Sequence, residues 1–375
     1  MLMKKRIILL GATGSIGKST LEIIKHFPNL FELVGFSYHT NKKLKDEIAE
    51  AFPKAFSIST FAIEETEEYC NLFEKFFYAS KADIVVNGIA GARGLTPSFV
   101  ALKCGIDLAL ANKESIVLSY NILKKLSDEN NAKIIPVDSE HWAIFQLLNM
   151  RNRAEIEKII ITASGGAFRD LPSEKLKDVS LSDCFNHPTW NMGKKITIDS
   201  ATLANKALEV IEATKLFSFS PEKIDVAIHR ESIVHSMVQT IGGAVYAECS
   251  PPDMKMPILG ALMFPASIPS YLKPLDFSKP FSLSFSSPRY NDFPLLSLGF
   301  EVAKKNASYP IAFNASNEVA VSNFMEEKIG FLDISHIVFE VLQKDWQYEA
   351  DEIETVYDID RKAREEAEKV IKNLY

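Results

Sequence analysis

Apolar residues along this chain come in short runs set off by glycine and polar clusters, the spacing expected of alternating strands and helices. Arg6–Leu10 (RIILL) reads as a buried strand, Gly11–Gly17 (GATGSIG) as a glycine turn, Lys18–His26 as a helix and Glu32–Ser37 (ELVGFS) as a second strand. Strand, turn, helix, strand is one βαβ unit. Further strands are predicted at Ala82–Asn87, Asp107–Ala111 and Lys133–Val137, with helical stretches between them. The alternation predicts a parallel, doubly wound sheet up to about Val137.

From Glu157 the texture changes. Strand-like runs occur at Lys158–Thr162, Ile224–Ile228 and Ala244–Glu248, with helices near Ser200–Leu216 and Ile258–Met263, which predicts a second α/β domain. Ala266–Pro294 is rich in Pro, Ser and Phe and reads as an extended linker. Helical patterns dominate from Leu295 onward. The fold class expected is α/β: a Rossmann-like N-terminal domain (1–137), an α/β catalytic domain (138–265), a linker (266–294) and a C-terminal helical domain (295–375).

Composition narrows the function classes. At 375 residues and 47% hydrophobic, the chain can bury more than one core. A net charge of −7 advertises neither nucleic acid nor a membrane surface as partner. Cys70, Cys104, Cys184 and Cys249 lie far apart without zinc or redox spacing, which suits a reduced, cytoplasmic setting. The start, MLMKKRIILL, imitates a signal peptide, but its apolar run is short and flows into the glycine turn.

Several constellations point to chemistry. The turn at Gly11, Gly14 and Gly17 follows a strand and opens a helix, so its backbone N–H groups can take a pyrophosphate. No acid stands after the second strand, where Tyr38, His39, Thr40, Asn41, Lys42 and Lys43 follow Ser37; that favours NADP over NAD. Asp138 and Glu140 end a strand and, on extended backbone, would point to one side as metal ligands; a helix N-cap is the equal alternative. Glu209 tips the balance toward Mg²⁺ or Mn²⁺, because it shares a helix face with Asn205 and sits near Lys206. A Lys206–Glu209 surface ion pair is the blander alternative. Ser164-Gly165-Gly166 follows a strand, where the glycines let backbone approach a ligand and the Ser hydroxyl adds a donor, although a bare turn is the commoner meaning of such a stretch alone. Asn186–Gly193, with His187, Trp190 and Met192, forms a Pro- and Gly-punctuated loop suited to a lid or a core plug.

Together these motifs resemble the 1-deoxy-D-xylulose 5-phosphate reductoisomerase family. The matching pieces are GATGSIG (11–17), LANKES (110–115), PVDSEH (136–141), SGGAFR (164–169), NHPTWNMGKKITIDSATLANKALE (186–209), ESIVHSMV (231–238) and PPDMKMP (251–257), in the family's order. The resemblance implies an NADPH- and divalent-metal-dependent (Mg²⁺, Mn²⁺ or Co²⁺) homodimer acting on a small phosphorylated sugar. Carried over by position, Asp138, Glu140 and Glu209 are the metal ligands, and Ser164, Ser200, Asn205 and Lys206 hold the substrate phosphate with His187 nearby. Lys113, Ser139 and Ser232 contact the substrate backbone, and Trp190 and Met192 belong to a lid. Thr13, Gly14, Ser15, Ile16, His39, Thr40, Asn112, Glu114, Gly193 and Met254 fall to the cofactor. The chain departs from the family at Tyr38-His39-Thr40, where a small residue, a Lys or Arg and an Asn are usual. It also has His229-Arg230-Glu231-Ser232 in place of His-Pro-Gln-Ser.

Two rival readings remain on sequence grounds. A short-chain dehydrogenase would use Tyr120 and Lys124 as its acid pair, and a non-catalytic NADP sensor would need no metal site. Metal-dependent turnover of a ketose phosphate separates both from the family reading.

Overall fold

The computed structural model describes residues 4–61, 66–186, 189–190 and 192–374. The chain forms two compact units, the first made of Met1–Ser115, Tyr120–Trp142 and Asp253–Leu272, the second of Ile116–Ser119, Ala143–Pro252 and Lys273–Tyr375.

In the first unit, β1 (Lys5–Leu10), β2 (Phe31–Tyr38), β3 (Phe56–Ser59), β4 (Ile84–Asn87), β5 (Asp107–Leu110) and β6 (Ile134–Pro136) form one sheet. Every pairing is parallel and the order is β3-β2-β1-β4-β5-β6, the doubly wound arrangement expected from the alternation. β1 and β4 are covered on both faces, which is why Ile7–Leu10 and Ile84–Val86 are continuous apolar runs. β3 escaped the sequence reading. It is a four-residue edge strand with Phe56 58% exposed, so it shows no apolar face.

The strand order reverses between β1 and β4, the place where open α/β sheets bind ligands. Gly11 sits there at φ +71°, and a Cβ on it would stand 2.8 Å from the Gly88 carbonyl oxygen in the turn after β4. The Lys255–Met263 helix packs on the Ser15–His26 helix and on β5. Its Gly260 admits the indole of Trp142, which a Cβ would approach to 2.2 Å.

In the second unit, β7 (Ile156–Ala163), β8 (Ile224–Ile228), β9 (Val234–Thr240) and β10 (Val245–Cys249) form a mixed sheet, order β10-β9-β7-β8. β7 runs parallel to β8 and antiparallel to β9. β9 was missed as a strand because His235 and Ser236 are buried in it and break the apolar pattern. The single helix expected over Ser200–Leu216 is two, Lys194–Ala201 and Ala204–Leu216, broken at Leu203 by a left-handed φ of 59°. Gly299 on the Pro294–Lys305 helix lets that helix lie against Ala207, whose Cβ would be 2.5 Å from an added one. The Tyr309–Met325, Phe331–Leu342 and Ile353–Leu374 helices complete the unit. Among the described residues, no helix is long and apolar enough to cross a membrane.

Gly260→Ala should force the buried Trp142 ring to move and lower unfolding free energy by about 1–3 kcal/mol. Gly242→Ala, where the nearest atom is 3.9 Å away, should stay within ~0.5 kcal/mol. Urea denaturation reads both, and equal midpoints would show that the indole yields freely.

Candidate active site

The glycine turn is tied to the neighbouring strand. The Gly11 N–H donates to Ser37 Oγ (2.9 Å) and the Ala12 N–H to the Ser37 carbonyl (2.9 Å). A Cβ on Gly17 would meet the Ala12 carbonyl oxygen at 2.4 Å, so only glycine lets the helix leave this closely. Gly14 caps the Ser15–His26 helix without a side-chain hydrogen bond, leaving a first turn of backbone donors suited to an anion. Thr13, Gly14, Ser15 and Ile16 all lie on this turn. Past the end of β2, His39 and Thr40 are exposed, and His39 Nδ1 lies 3.3 Å from Thr60 Oγ1. Lys42 and Lys43 open the next helix, capped by Asn41.

Asn112 and Glu114 are buried and brace the turn that follows β4. Asn112 donates to the Gly91 carbonyl (2.9 Å) and to Glu114 Oε2 (2.8 Å), and accepts from the Ser115 N–H (3.0 Å). Glu114 Oε1 accepts from the Gly91 N–H at 3.2 Å. Between them stands Lys113, 5% exposed, whose Nζ donates to Asp138 Oδ2 at 2.7 Å.

Of the two backbone readings left open at Asp138–Glu140, the helix start is the one found. A helix begins at Ser139 and runs to Asn149, so Glu140 lies in its first turn. Asp138 Oδ1 accepts from the Glu140 N–H (3.2 Å) and the His141 N–H (3.4 Å), the N-cap alternative. Capping engages one carboxylate oxygen and Lys113 the other, while Ser139 Oγ donates to Glu140. Met254 caps the Lys255–Met263 helix.

In the second unit, Glu209 is fully buried on the Ala204–Leu216 helix. Asn205 Nδ2 donates to Glu209 Oε1 (2.6 Å), and Lys206 Nζ, 3% exposed, donates to Oε2. The ion pair exists, but in the interior rather than on the surface. Taking two charges out of water is costly, so the pair persists only with the Asn205 donor and close geometry around it. Gly166, at φ +70°, brings the Ser164 turn against Ser200, where a Cβ would meet the Ser200 carbonyl at 2.4 Å. Ser232 is 7% exposed and held at φ 50°.

The sequence reading missed the groups that fix this site. Asp199, beside Ser200, accepts from Asn317 of the C-terminal helices (2.8 Å) and pairs with Lys195 (2.9 Å). His235 lies with its ring 6.3 Å from the half-buried Trp190 and with Nε2 3.2 Å from the Ser250 carbonyl. Burial pushes its pKa down despite Glu248, and burial pushes the Glu248 carboxyl up. His187, Pro188 and Asn191 lie outside the described residues. Gly193 caps the Lys194–Ala201 helix with open space around it. Of the rival acid pair, burial raises the Tyr120 phenol away from working pH, and Lys124 is exposed and bound to Asp128.

The chain is similar to known proteins of one family. A family model described as 1-deoxy-D-xylulose 5-phosphate reductoisomerase matches residues 7–119. Models of that family's C-terminal domains match residues 134–217 and 249–366. The reductoisomerase of Treponema denticola is 54% identical over 369 residues, 96% of each chain, and that of Treponema pallidum is 46% identical over 364. A crystal structure of DOX-P reductoisomerase in complex with NADPH, fosmidomycin and magnesium is similar at TM-score 0.89, with 33% identity over 99% of both chains. The Zymomonas mobilis enzyme in complex with NADPH is similar at TM-score 0.85, with 33% identity over 98% of this chain and 99% of that one. The chain belongs to the 1-deoxy-D-xylulose 5-phosphate reductoisomerase family.

Proposed function

We propose a division of labour among these residues for the reaction of the family, the NADPH- and divalent-metal-dependent rearrangement and reduction of 1-deoxy-D-xylulose 5-phosphate to 2-C-methyl-D-erythritol 4-phosphate. The observation that carries it is the pairing of buried carboxylates with lysines, Asp138 with Lys113 and Glu209 with Lys206. An all-oxygen donor set of Asp138, Glu140 and Glu209 fits a hard divalent cation. When bound there, such a cation supplies Lewis-acid stabilisation to a ketone and its neighbouring hydroxyl while a carbon–carbon bond breaks and re-forms.

The remaining work falls to the protein. Ser164, Ser200, Asn205 and Lys206 hold the substrate phosphate with hydroxyl, amide and ammonium donors, His187 assisting. That grip fixes the reacting carbons at a distance. Lys113 and Ser232 orient the sugar chain beside Ser139, and Trp190 and Met192 close over it to exclude water. Thr13, Gly14, Ser15 and Ile16 take the cofactor pyrophosphate, His39 and Thr40 its 2′-phosphate, and Met254 and Gly193 flank the nicotinamide, which supplies the hydride. Asn112 and Glu114 shape the adjoining loop. We place the domain limits at 137, 265 and 294.

We further infer a homodimer in the cytoplasm. β10 is an edge strand, and Val245 on it and Ile241 beside it are 49% and 69% exposed, an edge that a second copy would cover. Cys70, Cys104, Cys184 and Cys249 are thiols rather than disulfides, as a reducing compartment keeps them.

Glu209→Gln should lower kcat by about 10²–10³ with a smaller change in KM, since the lost charge matters most in the transition state. Steady-state kinetics in saturating Mg²⁺ and Mn²⁺ check this, with EDTA abolishing wild-type turnover; a metal-independent wild type would refute the assignment. His39→Asp should raise KM for NADPH about tenfold or more by placing a like charge near the phosphate dianion, and should leave KM for NADH nearly unchanged. Parallel changes for both coenzymes would remove His39 from the 2′-phosphate.

A further inference from the structure

The segment expected to be a plain linker grips two loops of the second unit. β7 and β8 are parallel neighbours ending in register at Ala163 and Ile228, so the Ser164–Leu171 and His229–Ser232 loops leave the same edge of the sheet. Residues 284–292 lie along that edge. Ser286 exchanges backbone hydrogen bonds with Ile228, donating at 3.0 Å and accepting at 2.8 Å.

Both loops are then tied down. Glu231 accepts from the Ser284 N–H (3.2 Å) through Oε2 and from the Ser284 hydroxyl (2.7 Å) through Oε1. His229 accepts the Ile233 N–H at Nε2, which leaves its hydrogen on Nδ1, 2.8 Å from the Ser284 carbonyl and 3.1 Å from Glu231. The Phe285 ring stacks on His229, with centroids 4.6 Å apart. Arg289, held by Asp292 at 2.6 Å, donates to the carbonyls of Arg169 (3.0 Å) and Leu171 (2.7 Å). Arg169 in turn donates to the Ser164 carbonyl at 2.8 Å. Arg230 and Asp170 join the two loops directly, Nη1 to Oδ2 at 3.1 Å.

Between these ties stands Ser232 in the left-handed region, a conformation that a non-glycine residue keeps only when its surroundings impose it. Arg230 and Glu231 form one of the two places at which this chain departs from the pattern usual in its family, and both are spent on the ties.

We propose that Glu231 is a positioning residue for the reaction: by anchoring the 284–292 strap it holds Ser232 in its strained conformation, while Arg289 does the same for the Ser164 turn. The proposal rests on the assignment of Ser232 and Ser164 to the substrate. A group acting only through Ser232 has a signature that general stabilisation lacks. Its effect disappears once Ser232 cannot serve.

The test compares Glu231→Ala, Glu231→Gln, Ser232→Ala and the Glu231→Ala/Ser232→Ala double variant on the metal-loaded enzyme, with NADPH and 1-deoxy-D-xylulose 5-phosphate. Glu231→Ala should lower kcat/KM for the sugar phosphate about tenfold or more through misplacement of Ser232, with KM for NADPH unchanged. Glu231→Gln, which keeps an acceptor for the Ser284 hydroxyl, should recover most of the loss. The double variant should be no worse than Ser232→Ala alone. Should Glu231→Ala fail to fold, Ser284→Ala removes the same hydroxyl contact and takes its place. Additive losses in the double variant, or full activity of Glu231→Ala alongside an impaired Ser232→Ala, overturn the clamp. A silent Ser232→Ala overturns the substrate assignment of Ser232 first, and the clamp with it.

Discussion

The pairing of poorly solvated carboxylates with lysines is the interaction on which the rest of this structure depends. Glu209 is fully buried, and Asp138 is nearly so, with its side chain 13% exposed. Each is tolerated because a lysine ammonium and further donors surround it: Lys113 and two helix N–H groups for Asp138, Lys206 and Asn205 for Glu209. Taking either lysine away would strand a buried charge, a loss of several kcal/mol in comparable cases. The pairs are therefore weak evidence for stability.

The scaffold meets that constraint by close backbone approach. Gly166 seats one loop on Ser200, Gly260 admits Trp142 just after the Asp138 cap, and Gly299 brings a C-terminal helix against the Ala207 turn that precedes Glu209. The helices after Leu295 also contribute polar contacts. Asn317 donates to Asp199 beside Ser200, so the helical region helps to fix the backbone there. Stability and function draw here on the same contacts, so substitutions far from the reacting atoms should register in kinetics.

Legibility in the sequence followed burial. β1, β4 and β5 could be read because their centres, Ile7–Leu10, Ile84–Val86 and Leu108–Leu110, are buried apolar runs. β3 could not, lying at an edge with little burial, and neither could β9, whose core includes His235 and Ser236. The Asn205–Glu209 relation was readable because a four-residue step on a helix is local. Asp138 and Glu140 could be read equally as a strand end or a helix cap because DSEH suits both, and only the packing of the helix decides. Arg289 and Asn317 lie more than a hundred residues from the groups they hold, and no local pattern announces such partners.

Metal binding tests the central claim most directly. Mn²⁺ titration followed by electron paramagnetic resonance, without substrate or coenzyme, reads the carboxylates themselves rather than turnover. The account predicts one Mn²⁺ per chain, weakened about tenfold or more by Asp138→Asn and by Glu209→Gln alike, and weakened as pH falls and protons compete for the same oxygens. Binding to Glu209→Gln with wild-type affinity and stoichiometry would contradict it.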